Sequence, residues 1–310
     1  MSLNISPLIE LLLFPGGLFL LGSGLVYEWV DRKLVARYQN RIGPRWFQPL
    51  ADFVKLLSKE EIIPEGVNAG LFVGLPVVAL VAALTAALAV PLFGIAPAYG
   101  FSGDLIVVLY LLSVLTLCIG LAGANGRDRF SIIGATRTLT QLFSYEAPFL
   151  LALLGPAIAA GSWDIGTILA YAQTHTWLLA TQPIGFAAAL IGLMGKLELR
   201  PFDAPEAETE IVAGALTEYS GRGLALFRIA KDVELVVGLA LVAAFFFGGF
   251  TNPLDFLWKT ALLILLTAGL QTLFARLRID QTVGLWWRIG SLLVLFQWFL
   301  TVVLRTTGVL

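Results

Sequence analysis

The stretch AGLFVGLPVVALVAALTAALAVPLF, Ala69 to Phe93, runs twenty-five residues without one charged side chain. A helix of that length spans a bilayer core, which is about 30 Å thick and needs about 20 apolar residues. Hydrocarbon offers no partner to a free backbone N–H or C=O, so a chain built of such runs folds as a bundle of helices. Seven more apolar runs are legible: Leu8–Val30, Leu105–Gly123, Leu142–Gly161, Trp177–Leu197, Gly223–Phe247, Phe256–Phe274 and Trp286–Leu304. The expected fold class is all-α, a polytopic membrane protein with about eight transmembrane helices. The 310 residues are expected to form a single integral membrane domain, residues 1–310. No Lys or Arg precedes Arg32, so the first run lacks the cationic start of a signal peptide and is expected to stay as a span.

Charge falls on alternate loops. One set carries Arg32, Lys33, Arg37, Arg41, Arg45, Lys55 and Lys59, then Arg127, Arg129 and Arg137, then Arg200 and Arg222, then Arg276 and Arg278. Lys196, Arg228, Lys231 and Arg288 lie at span ends on that same side, and the other side keeps only Lys259 and Arg305. The positive-inside rule makes the basic loops cytoplasmic, and an even number of spans puts both termini outside. The expected location is the cell's inner or plasma membrane, crossed many times. Two cytoplasmic loops read as ordered. In QPLADFVKLLSKE, Leu50, Phe53, Val54 and Leu57 recur at helical spacing, which predicts a short interfacial helix. In FDAPEAETEIVAGALTEY, Asp203 reads as an N-cap, with Pro205 in the first turn and Glu206 three residues on, which predicts a longer helix.

That second loop, residues 198–222, is the sharpest anomaly. Glu198, Asp203, Glu206, Glu208 and Glu210 put five carboxylates into thirteen residues of a chain that is 58% hydrophobic. Acids in a first helical turn favour the positive end of its dipole, which accounts for Asp203, Glu206 and Glu208 but less well for Glu210 and Glu218. Further ionisable residues lie in or at the ends of spans: Glu146 in the fourth, Lys196 at the end of the fifth, and Lys231, Asp232 and Glu234 in the sixth. Charge inside a bilayer is costly and usually faces a bundle interior or a water path. Clustered carboxylates there have raised, coupled proton affinities and can relay protons. Static pairs such as Lys196 with Glu198, or Lys231 with Glu234, fit the same residues.

Composition removes whole classes of chemistry. With one cysteine, Cys118, and one histidine, His175, the chain has no ligand set for an iron–sulfur cluster, haem or zinc. No metal site and no catalytic residue is expected, and redox centres are assigned to partners. No nucleic acid is expected as a partner; the lipid bilayer is. Cys118 reads as a small core residue, His175 as an outer-loop residue, and Trp258, Trp286 and Trp287 as an interfacial belt. Pro148 and Pro156 are placed to kink the fourth span, and Gly155–Gly161 supplies small residues for close helix contact.

Three motifs, DRKLVARYQNRIGPRWFQPLADFVKLLSKE (Asp31–Glu60), GATRTLTQLFSYEAP (Gly134–Pro148) and RPFDAPEAETEIVAGALTEYSGRGLALF (Arg200–Phe227), together resemble the H subunit (subunit 1) family of respiratory complex I. That family also supplies the anchor subunit of membrane-bound nickel–iron hydrogenases. The resemblance implies a subunit at the elbow of an L-shaped assembly, docking the hydrophilic electron-transfer arm and lining the quinone tunnel in quinone-reducing members. It implies a proton pathway through Glu146, Lys196, Glu198, Asp203, Glu206, Glu208, Glu210, Glu218, Lys231 and Asp232. It implies a docking loop over residues 31–68, with Arg32, Arg37, Arg41, Asp52 and Lys55 at the arm interface. The complex I pattern has acids where this chain has Lys196 and Lys231, and its first loop is longer. At the two lysines Glu198 and Asp232 lie close by as substitutes, so the proton route can differ, while the short first loop and RPFDAPEAETE followed by TEYSGR resemble the hydrogenase and ferredoxin-linked branch, of the formate hydrogenlyase or energy-converting kind. The function expected is membrane anchor and proton or sodium translocation in an oxidoreductase complex, without a redox centre on this chain. The implied partners are an iron–sulfur small subunit, a hydrogenase-like large subunit with the nickel–iron site, a ferredoxin-like subunit and antiporter-like membrane subunits. Quinone is disfavoured. The alternatives are a complex I H subunit lining a quinone tunnel and a stand-alone secondary transporter.

Overall fold

The computed structural model describes residue 13 and residues 16–95, 97, 99–174 and 178–306. His175 and Trp177, expected as an outer-loop residue and a span start, lie outside the described residues, as does most of the chain before Gly16. The helices are α1 Gly17–Tyr38, α2 Gln48–Ser58, α3 Ala69–Leu88, α4 Asp104–Asn125, α5 Arg129–Ala160, α6 Ile165–Thr174, α7 Leu178–Thr181, α8 Pro183–Lys196, α9 Glu208–Ile211, α10 Gly221–Phe246, α11 Pro253–Leu273, α12 Ile279–Leu285 and α13 Ser291–Thr306. Apart from an isolated bridge between Leu92 and Ile95, no β-structure occurs among the described residues. The molecule is an all-helical, polytopic membrane protein.

Among the described residues, five continuous helices are long and apolar enough to cross a membrane: α3, α4, α5, α11 and the Ile279–Thr306 run through α12 and α13. The other three predicted spans coincide with helices that depart from that rule for physical reasons. The first, α1, continues past the predicted boundary to Tyr38 and takes Glu28, Asp31, Arg32, Lys33 and Arg37 with it. At 14 residues α8 is short, preceded only by the single turn α7. The sixth, α10, carries Arg228, Lys231, Asp232 and Glu234, yet every residue from Val233 to Phe246 is buried. A helix covered by protein on all sides can hold charge that lipid would reject.

α10 is the axis of the bundle and packs against α1, α3 and α11. α4 lies between α3 and α5, α8 packs on α5, and α13 closes the outside of α5. α5 runs unbroken for 32 residues through Pro148 and Pro156. It begins at Arg129, capped by the Asp128 side chain, so Arg129 and Arg137 lie on a helix rather than in a loop. Trp286 is buried against Phe202 (5.9 Å between ring centroids) instead of in an interfacial belt, whereas Trp258 and Trp287 are exposed.

The acidic segment between α8 and α10 is a compact loop, and the long helix predicted from Asp203 does not form. Ala207 and Val212 have positive φ (28° and 63°), which interrupts any helix after a turn and leaves only α9 and a 3₁₀ turn at Gly214–Leu216. Tertiary contacts override the local capping signal. Gln141 Nε2 donates to Gly195 O and Phe202 O (both 2.8 Å), and Ser131 Oγ donates to Ala215 O (3.1 Å). Gly134 lets the loop touch α5: a Cβ there would lie 2.2 Å from Ala215 N. Gly214 (φ 55°) turns under Pro205, where a Cβ would meet its carbonyl oxygen at 2.0 Å. Tyr219 stacks on Phe72 (4.1 Å) and donates to its carbonyl (3.2 Å), pinning the far end of the loop to α3.

Candidate functional site

The charged loops converge at one end of the bundle around a cleft of about 1210 Å³, lined by the end of α1, the Gln39–Pro44 turn, the acidic loop and the end of α11. Glu198 and Glu206 line this cleft. Behind them, Lys231 of α10 reaches both: its Nζ lies 2.5 Å from Glu198 Oε2 and 2.6 Å from Glu206 Oε1. Thr138 Oγ1 donates to the other oxygen of Glu198 at 3.5 Å. Glu206 is half exposed, at 47%, while Glu198 is buried. The two carboxyls are therefore poised differently. Burial pushes Glu198 up from the ordinary carboxylate range, against the pull of Lys231, whereas the Lys231 ammonium holds Glu206 below it.

One turn further along α10 lies a second lysine-centred group. The Lys196 side chain, at the last turn of α8, is 0% exposed. Its Nζ sits 3.6 Å from Glu234 Oε1 on α10 and 3.9 Å from Glu146 Oε2 on α5, and the Glu234 side chain is 1% exposed. The rings of Tyr145 and Phe149 flank the ammonium at 5.8 and 5.9 Å. Glu146 continues the group inward through Ser113 of α4, whose hydroxyl reaches both Leu109 O (3.0 Å) and Glu146 Oε1. Beside it, the hydroxyls of Thr116 and Tyr145 are 3.2 Å apart. Ser113 lies near the middle of α4, roughly 14 Å from its start and roughly 18 Å from its end at 1.5 Å per residue. Two triads, each a lysine between two carboxylates, thus lie between the cleft and mid-span: Glu206, Lys231 and Glu198, then Glu234, Lys196 and Glu146, ending in hydroxyls.

Both anticipated local pairs are replaced by long-range ones. Lys196 bonds α10 and α5 rather than Glu198, and Lys231 bonds the acidic loop rather than Glu234. Helical spacing alone cannot see such pairs, because they depend on which faces of α5, α8 and α10 meet. Glu234 gains its role by joining Lys196; the signal was a carboxylate set in the apolar run that follows it. Ser113, Thr116, Thr138 and Tyr145 carried no signal, since hydroxyls in apolar helices ordinarily bond their own backbone.

The remaining candidates lie elsewhere. Asp232 faces α1, where a Cβ on Gly24 would lie 3.0 Å from its own. Asp203 pairs with Arg200 (3.5 Å), Glu208 is exposed on α9, and Glu210 bridges Arg137 (2.7 Å) and Arg276. Arg137, donating to Glu210, holds that carboxyl below its usual range. Glu218 accepts the Arg127 and Asp128 backbone N–H groups (2.8 and 3.1 Å), so it sits at the start of α5 where the helix dipole favours an anion. Arg32 pairs with Glu28 (3.0 Å) and Asp52 (3.4 Å), tying α1 to α2, while Arg37, Arg41 and Lys55 are exposed. Among the described residues no three His, Cys, Asp or Glu side chains form a metal-binding set.

Comparison with known proteins places this arrangement. The NADH dehydrogenase family profile matches residues 11–302. The H subunit of the NADH-quinone oxidoreductase of Thermomicrobium roseum is 34% identical over 319 residues, covering 94% of each chain. Its counterpart in Dehalococcoides mccartyi is 34% identical over 281 residues, covering 87% of this chain and 79% of that one. Among solved structures, a chain of the membrane-bound sulfane sulfur reductase, an archaeal respiratory membrane complex, superposes with a TM-score of 0.84 at 26% identity, over 91% of this chain and 96% of that one. Similarity in sequence and in fold thus extends over nearly the whole bundle, loops and cleft end included, and the chain belongs to the NADH dehydrogenase family as a membrane subunit of a complex I-like oxidoreductase.

Proposed function

We propose that this subunit docks the electron-transfer arm of a membrane-bound, hydrogenase-type complex at its cleft and conducts protons from there into the membrane. The observation that carries the reading is the pair of lysine-centred groups, Glu206–Lys231–Glu198 and Glu234–Lys196–Glu146, set one turn apart on α10 and running from half-exposed Glu206 to Ser113 at mid-span. Static pairing alone gives little reason to sink five of these six charges into the bundle, because desolvation offsets most of their attraction. A relay does give a reason. Glu198, raised by burial, takes a proton when charge changes in the cleft; Lys231 then loses part of its countercharge and leans toward Glu206. The field at Glu234 and Lys196 shifts in turn, and with it the pull of Lys196 on Glu146, whose carboxylate meets the Ser113 hydroxyl of α4.

The basic loops face the cytoplasm on this reading, with both termini outside and the complex in the inner or plasma membrane. Nickel–iron and iron–sulfur centres belong to partner subunits above the cleft, alongside antiporter-like subunits within the membrane. The test is Glu146→Gln in the assembled complex. Proton translocation per turnover should fall while the complex still assembles; unchanged translocation overturns the assignment.

A quinone reading draws on one observation, the cleft itself, together with relatives named as NADH-quinone oxidoreductases. Its lining includes Arg32, Arg41, Arg200 and Arg276 opposite Asp31, Asp203, Glu206 and Glu208. That surface suits water and a charged protein better than an isoprenoid tail. Inhibitor-sensitive quinone reduction by the purified complex would reverse the preference.

A further inference from the structure

Lys196 sits where a transported metal cation would have to sit. The ammonium lies between Glu146 and Glu234 at 3.9 and 3.6 Å, with the side chain wholly enclosed and aromatic rings of Tyr145 and Phe149 on its flanks. The groups facing this point are Ser113 and Thr116 from α4, Tyr145, Glu146 and Phe149 from α5, Lys196 from α8 and Glu234 from α10. Glu146 Oε2, both Glu234 oxygens and Lys196 Nζ are buried without a hydrogen-bond partner, so the pair is held by charge and not by directed bonds.

We propose that Lys196 is a selectivity residue that restricts this point of the pathway to protons, by acting as a tethered cation that a sodium ion cannot displace. The inference rests on the proton-pathway reading above and names the ion that passes. Sodium requires several oxygen ligands close around it, and both carboxylates on offer, Glu146 and Glu234, already share the ammonium between them. Its entry would bring two cations side by side in a weakly polarisable core, where like charges repel far more strongly than in water. A proton needs no coordination shell and moves between carboxyl, ammonium and hydroxyl groups one bond at a time. The lysine cannot step aside into solvent, because its whole side chain is enclosed at the last turn of α8.

Infrared difference spectroscopy of the purified complex, exchanging choline chloride for sodium chloride at constant pH, provides the test. In the unaltered complex the sodium-induced spectrum should be the same as that of the Glu146→Gln complex, since Glu146 should not respond to sodium. In Lys196→Met a new carboxylate band shift should appear and saturate with sodium, and it should vanish in Lys196→Met/Glu234→Gln. Lys196→Gln serves as a second neutral variant if the Met variant assembles poorly, and Lys196→Arg, which keeps the cation, should remain silent. A Glu146-dependent sodium response in the unaltered complex overturns the proposal, and so does silence in both neutral variants. Failure of the underlying pathway reading looks different: Glu146→Gln would then translocate protons normally, whatever sodium does.

Discussion

The two ends of the bundle treat charge in opposite ways. At the end away from the cleft, charge is met by near neighbours or backbone. Lys259 donates to Gly249 O (2.7 Å) and Asp255 (2.9 Å, four residues away), Asp104 accepts the Ile165 N–H (2.8 Å) at the start of α6, and Arg305 donates to Ile158 O (2.8 Å) near the end of α5. These groups finish helices. At the cleft end, Lys196 and Lys231 join elements far apart in sequence, and Lys196 does so beyond hydrogen-bonding distance. Countercharge supplied close by finishes a helix; countercharge shared between distant elements, as at both lysines of the cleft end, lets a protonation change on one element be felt on another.

Removing Lys196 should break this contrast most severely. Lys196→Met strands two carboxylates in the core, and loss of one member of a buried ion pair costs about 3–5 kcal/mol. Proton translocation should be lost and the melting temperature of the complex should drop. Glu146→Gln, nearly isosteric, should separate the two effects: translocation falling by about 10²-fold or more, with thermal stability changed by less than about 1 kcal/mol. Intact coupling in that variant would make the cleft end structural like its counterpart. Lys259→Met, at the finishing end, should cost about 1–3 kcal/mol and leave the proton-to-electron ratio unchanged. Glu218→Ala should cost about 1–2 kcal/mol by releasing the Arg127 and Asp128 N–H groups just ahead of α5, visible as faster hydrogen exchange at those two residues.

The smallest effect is acid loosening of the loop. Lys231 holds Glu206 below the ordinary range and Arg137 holds Glu210 below it. A carboxyl lowered in the folded state lends stability that is complete above its unfolded value, about 4.3, and is lost as pH falls through the lower folded value. Proteolysis at the acidic loop should therefore increase only below about pH 4.3, and the onset should move to higher pH in Arg137→Gln.

What was legible in the sequence follows from what is local. Apolar runs announce helices because lipid enforces one solution, and each of the eight runs meets a helix. The family was legible because its three motifs keep their order along the chain. Pairings were not legible, since Lys196 meets Glu146 only after α5 and α8 pack. The acidic loop misled because its capping signal was genuine but weak, worth about 1 kcal/mol, against a network of buried bonds through Gln141 and Ser131. Trp286 misled because a tryptophan at the end of a run looks the same whether it meets headgroups or Phe202.

Glu206 alone among the six charges is half open to the outside, and it rides on a loop pinned at both ends. A protein pressing on that loop by an ångström would alter the electrical surroundings of Lys231 with no atom exchanged. The subunit would then convert push into voltage at its surface, leaving the deeper residues to answer the field alone.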